Sequence, residues 1–195
     1  MREMKYGLLC EDDAHREFLR MALSFLAADS TNFEEVKTHI QAKNKREVDR
    51  NFAKACSVAF VRYKVDVFFV VRDVDSVNDV NFSELYTMFH GGLTEPHRHR
   101  SVIVLPVQCI EHWLWYLKHY NENPTMMKNI PLETRTRNDA KKEVYGHIKT
   151  SIAKQKPIIQ ELMRTADLKK LSHHSASFRK FHGDFMSVLQ SLLPA

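Results

Sequence analysis

Apolar and polar positions fall into blocks along this chain, and each block has the period of one kind of element. Residues 5–10 (KYGLLC) form a short apolar run that fits a buried first strand. Asp12 or Asp13 can cap a helix behind it. Phe18, Leu19, Ala22, Leu23, Phe25 and Leu26 then recur at helical spacing, which predicts an amphipathic helix over 13–28. Residues 29–35 (DSTNFEE) read as a polar connection and 36–40 as a short strand. Val48, Phe52, Ala55 and Ala59 are spaced for a second helix over 44–60. Residues 65–71 (VDVFFVV) are the most strand-like stretch, nearly continuous in apolarity and rich in β-branched and aromatic residues. Such a run suits a central parallel strand covered on both faces. A polar stretch over 72–81 follows, then a short helix over 82–90 and a turn at Gly91-Gly92. Residues 101–106 (SVIVLP) predict another buried strand, and 110–120 (IEHWLWYLKHY) a helix with a bulky apolar face. After Pro124 the chain turns basic and mostly helical, with breaks expected at Gly146, Pro157 and 172–177.

Strands alternating with helices imply an α/β fold with a mostly parallel sheet flanked by helices. The expected division is an α/β core over 1–125 and a basic helical extension over 126–195 packed on it. In such sheets the ligand site lies at the carboxyl ends of the strands.

Charge sharpens this picture. The net charge is +5, but residues 141–182 alone hold ten Lys or Arg against three Asp or Glu. A clustered basic excess is the footprint of a polyanion partner. The three cysteines, Cys10, Cys56 and Cys109, are far apart and odd in number, which fits reduced buried thiols better than a disulfide framework. No stretch reaches the ~18 apolar residues of a membrane span. The N-terminus lacks the apolar core of a signal peptide, so a cytoplasmic address is expected.

Acidic residues fall where a strand-end site would use them. Glu11 directly follows the first strand, Asp73 and Asp75 follow the central one, and Asp79 comes four residues later. Glu111 opens the helix after the 101–106 strand. Carboxylates gathered together repel one another, and a hard divalent cation relieves the repulsion. In an extended D-x-D both side chains point to one face, so two carboxylates can address one ion. Helix capping and dipole compensation are the competing roles for the 11–13 acidic run and for Glu111.

These residues resemble a family. Leu8-Leu9-Cys10-Glu11, with Glu17-Phe18-Leu19 on the following helix, is similar to the opening of TOPRIM domains, and Asp73-Val74-Asp75 with Asp79 beyond it is similar to their D-x-D motif. Glu111-His112-Trp113-Leu114 and Ser175-Ala176-Ser177-Phe178 resemble the E-x-W-L and S-x-S-F segments of small TOPRIM-type proteins of bacterial phage-defence and mobile-element loci, relatives of the OLD-family nucleases. The likeness covers about residues 5–182. It departs from the pattern at Asp12, where glycine is usual, and at His15, where glutamate closes the E-G-x-x-E opening. The resemblance implies a TOPRIM-like, Rossmannoid sheet and a nuclease that uses Mg²⁺ or Mn²⁺. It implies Asp73 and Asp75 as ligands, Glu11 as ligand or acid/base, and Asp79 and Glu111 as accessory ligands. It also implies an ATPase partner encoded nearby. Nucleic-acid phosphates would meet Lys141, Lys142, Lys149, Lys154, Lys156, Arg179 and Lys180, with affinity but without sequence choice.

Three other readings compete. The run F-F-V-V-R-D-V-D-S-V also resembles the opening motif of aspartyl-phosphate phosphatases, although 72 residues precede Asp73 and no later acidic pair follows on a strand end. The chain is too long for a lone receiver domain. A non-catalytic TOPRIM-like partner of an ATPase or toxin complex is the third reading, and Asp12 gives it weight. The histidines lack the spacing of a structural zinc site. No Walker A, dinucleotide-binding fingerprint or serine-hydrolase elbow is present.

Overall fold

Four strands, β1 (Arg2–Cys10), β2 (Thr31–Glu35), β3 (Val67–Val71) and β4 (Ser101–Val104), form one all-parallel sheet in the order β2-β1-β3-β4. The computed structural model describes residues 2–26, 31–123, 125 and 130–193. β3 lies between β1 and β4, and all five of its residues are buried, as its unbroken apolar run requires. Alternation along the strands divides the interior into two cores. Tyr6, Leu8, Val67, Phe69, Val71, Val102 and Val104 face one side, and Leu9, Phe68, Val70 and Ile103 the other.

The first side carries α1 (Asp13–Leu26) and α5 (Glu111–Glu122), together with α6 (Arg137–Tyr145), α7 (Ile152–Arg164), α8 (Leu168–His174) and α9 (Ala176–Leu192). Trp113 of α5 and Phe178, Phe181 and Phe185 of α9 are fully buried there. The helices after residue 130 thus share one core with α1 and α5. The other side carries α2 (Lys45–Arg62) and α3 (Asp79–Gly92), with the short α4 (Glu95–Arg98) leading into β4. Gly7 lets α2 close on the sheet: a Cβ there would meet Ala59 Cβ and Phe68 Cδ2, each at 3.0 Å. No helix among the described residues is long and apolar enough to cross a membrane.

Several boundaries differ from the sequence reading. The second strand is 31–35, not 36–40. β2 is an edge strand with only Thr31 buried, so a polar TNFEE sequence satisfies it once Phe33 packs on Tyr6 and Phe185. Val36 adds one more bond, donating to Tyr6 O at 2.8 Å, and the chain then leaves the sheet. Gly91-Gly92 ends α3 rather than forming a separate turn. Pro157 lies inside α7 instead of breaking it; buried Ile159 and Met163 hold that helix against the core, offsetting one lost backbone bond. The expected break at Gly146 is present, with φ 78° in the left-handed C-cap of α6. The helix end expected at 28 and the boundary expected at 126 lie outside the described residues.

Candidate functional site

The ladder continues past the ends of the strands and sets the site. Glu11 N–H donates to Val71 O at 3.2 Å, Arg72 N–H to Val104 O at 3.1 Å and Val74 N–H to Pro106 O at 2.9 Å. Extended backbone through this region points Asp73 to the same side as Val71, toward α1 and α5. Arg72 points the other way and meets Asp49 of α2 at 2.9 Å.

Asp73 is wholly buried. Its Oδ1 accepts from Ile110 N–H at 3.0 Å and lies 2.8 Å from His15 Nε2; its Oδ2 lies 3.1 Å from Arg137 Nη2. Ile110 precedes α5, and no side chain of its own caps that helix. Asp73 therefore supplies from β3 the negative charge that the N-terminus of α5 favours. Glu11 Oε2 in turn accepts from Asp73 N–H at 3.3 Å. Two acids 62 residues apart in sequence are thereby joined at adjacent strand ends.

His15 is buried between two acids. Nδ1 lies 2.7 Å from Asp12 Oδ1, which also accepts from Ala14 N–H at 2.9 Å and His15 N–H at 3.1 Å. Asp12 thus caps α1 and orients the imidazole with the same oxygen. Burial opposes charge on His15, but Asp73 and Asp12 outweigh it and lift its pKa well above the ordinary 6.5. Burial likewise opposes charge on Asp12, and His15 overcomes it, holding this carboxyl well below its usual range. Glu11 moves the other way: burial and the facing Asp73 raise its pKa.

Asp75 stands apart from this buried set. Its backbone is left-handed, φ 59°, where its N–H meets Gln108 O at 3.2 Å. The carboxylate therefore turns outward, to Lys45 Nζ at 2.7 Å and to the Arg137 guanidinium. The sequence reading placed both carboxylates of the D-x-D on one face; the left-handed residue corrects this, and Arg137 bridges the two instead.

Glu111 is buried in the first turn of α5, with Lys141 Nζ 3.6 Å from Oε1 and no hydrogen-bond partner for Oε2 among the described residues. The Tyr145 hydroxyl is also buried without one. Burial first, then the charges of Glu111 and Asp12, push its pKa far up, so it is a neutral O–H beside the acids. An open cavity of about 390 Å³ lies against Glu11, Asp12 and Asp13 and is also lined by Arg16, Lys43 and, from α7, Ile152 and Gln155.

Other candidates lie elsewhere. Asp79 begins α3 and lines a separate cavity with Lys180. Lys180 is held by Asp184 and Tyr86, and Arg179 by Ser172 O at 3.4 Å. Lys142, Lys149, Lys154 and Lys156 are exposed, while Lys141 reaches the site. Ser175 and Ser177 are buried and donate to Glu133 Oε1 at 2.8 and 2.6 Å, and Trp113 Nε1–H donates to Ser177 Oγ at 2.9 Å. This lock fixes the turn at Leu132–Thr134 that delivers Arg137. The sequence reading missed Lys45, Arg137 and Tyr145 as site residues and noted His15 only as a departure. The Asp12-x-x-His15 spacing was the available signal, since three residues on a helix share a face.

Glu11, His15 and Asp73 each offer a ligand atom, all within 4.8 Å of one another. Five carboxylates (Glu11, Asp12, Asp73, Asp75, Glu111) face three permanent cations (Lys45, Arg137, Lys141) and His15, and two buried oxygens beside them, Glu111 Oε2 and the Tyr145 hydroxyl, have no hydrogen-bond partner among the described residues. An oxygen-rich, net-acidic donor set of this kind fits a divalent cation. Comparisons with protein-family models, with curated proteins and with solved structures returned no match.

Proposed function

We propose that this protein is a TOPRIM-like, divalent-metal-dependent nuclease that hydrolyses phosphodiester bonds in DNA or RNA. The observation that carries the reading is the burial of Asp73 against Glu11 and His15 at neighbouring strand ends of a parallel sheet, where α/β proteins place their ligands. Glu11, His15 and Asp73 would hold the cation, Mg²⁺ or Mn²⁺. A cation there supplies an activated water and offsets charge on the scissile phosphate. Arg137 and Lys141 pair with acids of the same cluster and would bind phosphate oxygens once drawn from Asp75 and Glu111. Where His15 and Asp73 hold the cation without it, Glu11 would be the group that takes and returns a proton. Exposed Lys149 and Lys154, close in sequence to the cavity residues Ile152 and Gln155, would track the backbone.

The test is cleavage of single- and double-stranded DNA and RNA by purified protein with Mg²⁺ or Mn²⁺. Asp73→Ala should lower the rate at least ~100-fold. Cleavage that survives this substitution ends the proposal.

A second reading has its own support. In this structure Asp73, Asp75 and Glu111 each already meet a protein cation, as in a structural ion-pair network. A non-catalytic partner of an ATPase would keep that network and show no metal-induced rise in melting temperature.

A further inference from the structure

We infer that Asp12 and His15 form a ligand arm, so that the cation in this site is bound through an imidazole nitrogen and the site takes a first-row transition cation in preference to Mg²⁺. The inference rests on the metal-dependent reading above and specifies its metal.

The ring cannot choose its orientation freely. His15 is 1% exposed, and its Nδ1 is committed to Asp12 Oδ1 at 2.7 Å. That oxygen is pinned in turn by two backbone amides of α1, at 2.9 and 3.1 Å. A carboxylate on one ring nitrogen leaves the other for a metal, and it both fixes the tautomer and makes the free nitrogen a stronger donor. Here the other nitrogen, Nε2, faces Asp73 Oδ1 at 2.8 Å. Neighbouring donors on one octahedral ion at about 2.1 Å stand about 3 Å apart, so this pair can share a cation once the cation displaces the proton of Nε2 to solvent and the ring turns off the hydrogen bond.

A ligand is called for by groups outside the acidic cluster. The Tyr145 hydroxyl is 6% exposed, has no hydrogen-bond partner among the described residues, and feels the charges of Glu111, Asp12 and Asp73. A buried O–H left so is costly unless an ion's water or a ligand oxygen completes it. Selectivity then follows from donor type. Mg²⁺ prefers oxygen ligands and its own waters, whereas imidazole favours transition cations, increasingly from Mn²⁺ to Cu²⁺, with Zn²⁺ below Cu²⁺.

Mn²⁺ is the probe, because it is paramagnetic and the weakest binder of that series. Pulsed electron paramagnetic resonance of the Mn²⁺-loaded full chain should show nitrogen modulation from a coordinated imidazole. His15→Gln should abolish it, and His112→Gln should leave it. In competition titrations, His15→Glu should reduce the preference for Mn²⁺ over Mg²⁺ at least ~10-fold, and Asp12→Asn should weaken Mn²⁺ binding about 10- to 100-fold. If His15→Gln does not fold, the wild-type modulation and the Asp12→Asn titration still decide the matter. Bound Mn²⁺ without nitrogen modulation overturns the ligand arm and leaves the metal-dependent reading standing. A chain that binds no Mn²⁺ overturns both.

Discussion

Asp73 and Glu11 should respond to neutralisation with opposite signs in the metal-free protein. A bare cluster of metal-binding carboxylates is relieved by removal of any one charge. Asp73 is not in that position: its oxygens are met by His15, by the Ile110 amide at the start of α5 and by Arg137. Asn at this position keeps an acceptor for the amide but removes the counter-charge of a buried imidazolium. Breaking a buried ion pair costs about 3–5 kcal/mol. The side chain of Arg137 is 35% exposed and His15 can shed its proton, so the low end applies, about 3 kcal/mol. For a chain of this size each kcal/mol moves the melting temperature by about 2–4 °C, so Asp73→Asn should lower it by roughly 6–12 °C. Glu11 is raised in pKa by burial and by Asp73, and Gln can still accept the Asp73 amide, so Glu11→Gln should raise the melting temperature. The assay is thermal unfolding at pH 7 with a chelator present. An unchanged or higher melting temperature for Asp73→Asn would refute the claim that the protein itself compensates this charge.

The two fully buried histidines should shape the pH profile from opposite ends. The pKa of His15 is raised in the fold, so its stabilisation is complete below the unfolded value of about 6.5 and is lost as pH rises through the folded value. Burial lowers that of His112, so its contribution is present above about 6.5 and is lost as pH falls toward the folded value. Denaturant unfolding from pH 5 to 9 without metal should show a flatter alkaline limb in His15→Gln and a flatter acid limb in His112→Gln; a variant that leaves its limb unchanged contradicts the assignment. Glu133→Ala strips an anionic acceptor from two buried hydroxyls and should cost about 2–3 kcal/mol by urea denaturation, against less than about 1.5 for Glu133→Gln, which keeps an acceptor oxygen. Equal losses in the two variants would remove Glu133 from that role.

The fold was legible where burial wrote it into the pattern. β1, β3 and β4 are covered on both faces or nearly so, and their apolar runs announce them. β2 was invisible for the opposite reason. An edge strand exposes most of its residues and gains its backbone bonds from β1 alone, so Thr31 and Phe33 suffice to seat it. The apolar Val36 and Ile40 that suggested a strand instead pack beside the α2 side of the sheet. Pro157 misled because a helix with buried Ile159 and Met163 tolerates one missing bond.

The site divides along the same line. Glu11 and Asp73 could be paired from sequence because each follows a buried strand, and adjacent parallel strands bring their carboxyl ends together. Asp75 could not be placed, since its direction depends on a left-handed backbone set by pairing with Gln108, 33 residues later. Arg137 carries no local signal at all. It reaches Asp73 because Glu133 is clasped by Ser175 and Ser177, and Ser177 is held by Trp113. The S-x-S-F and E-x-W-L segments, which looked like neighbours of the chemistry, therefore act on it at one remove. Trp113, Ser175 and Ser177 lock the turn that aims a guanidinium at two carboxylates, while Glu111 alone of those segments meets a cation of the site, Lys141. A motif can thus belong to a site without touching what the site binds.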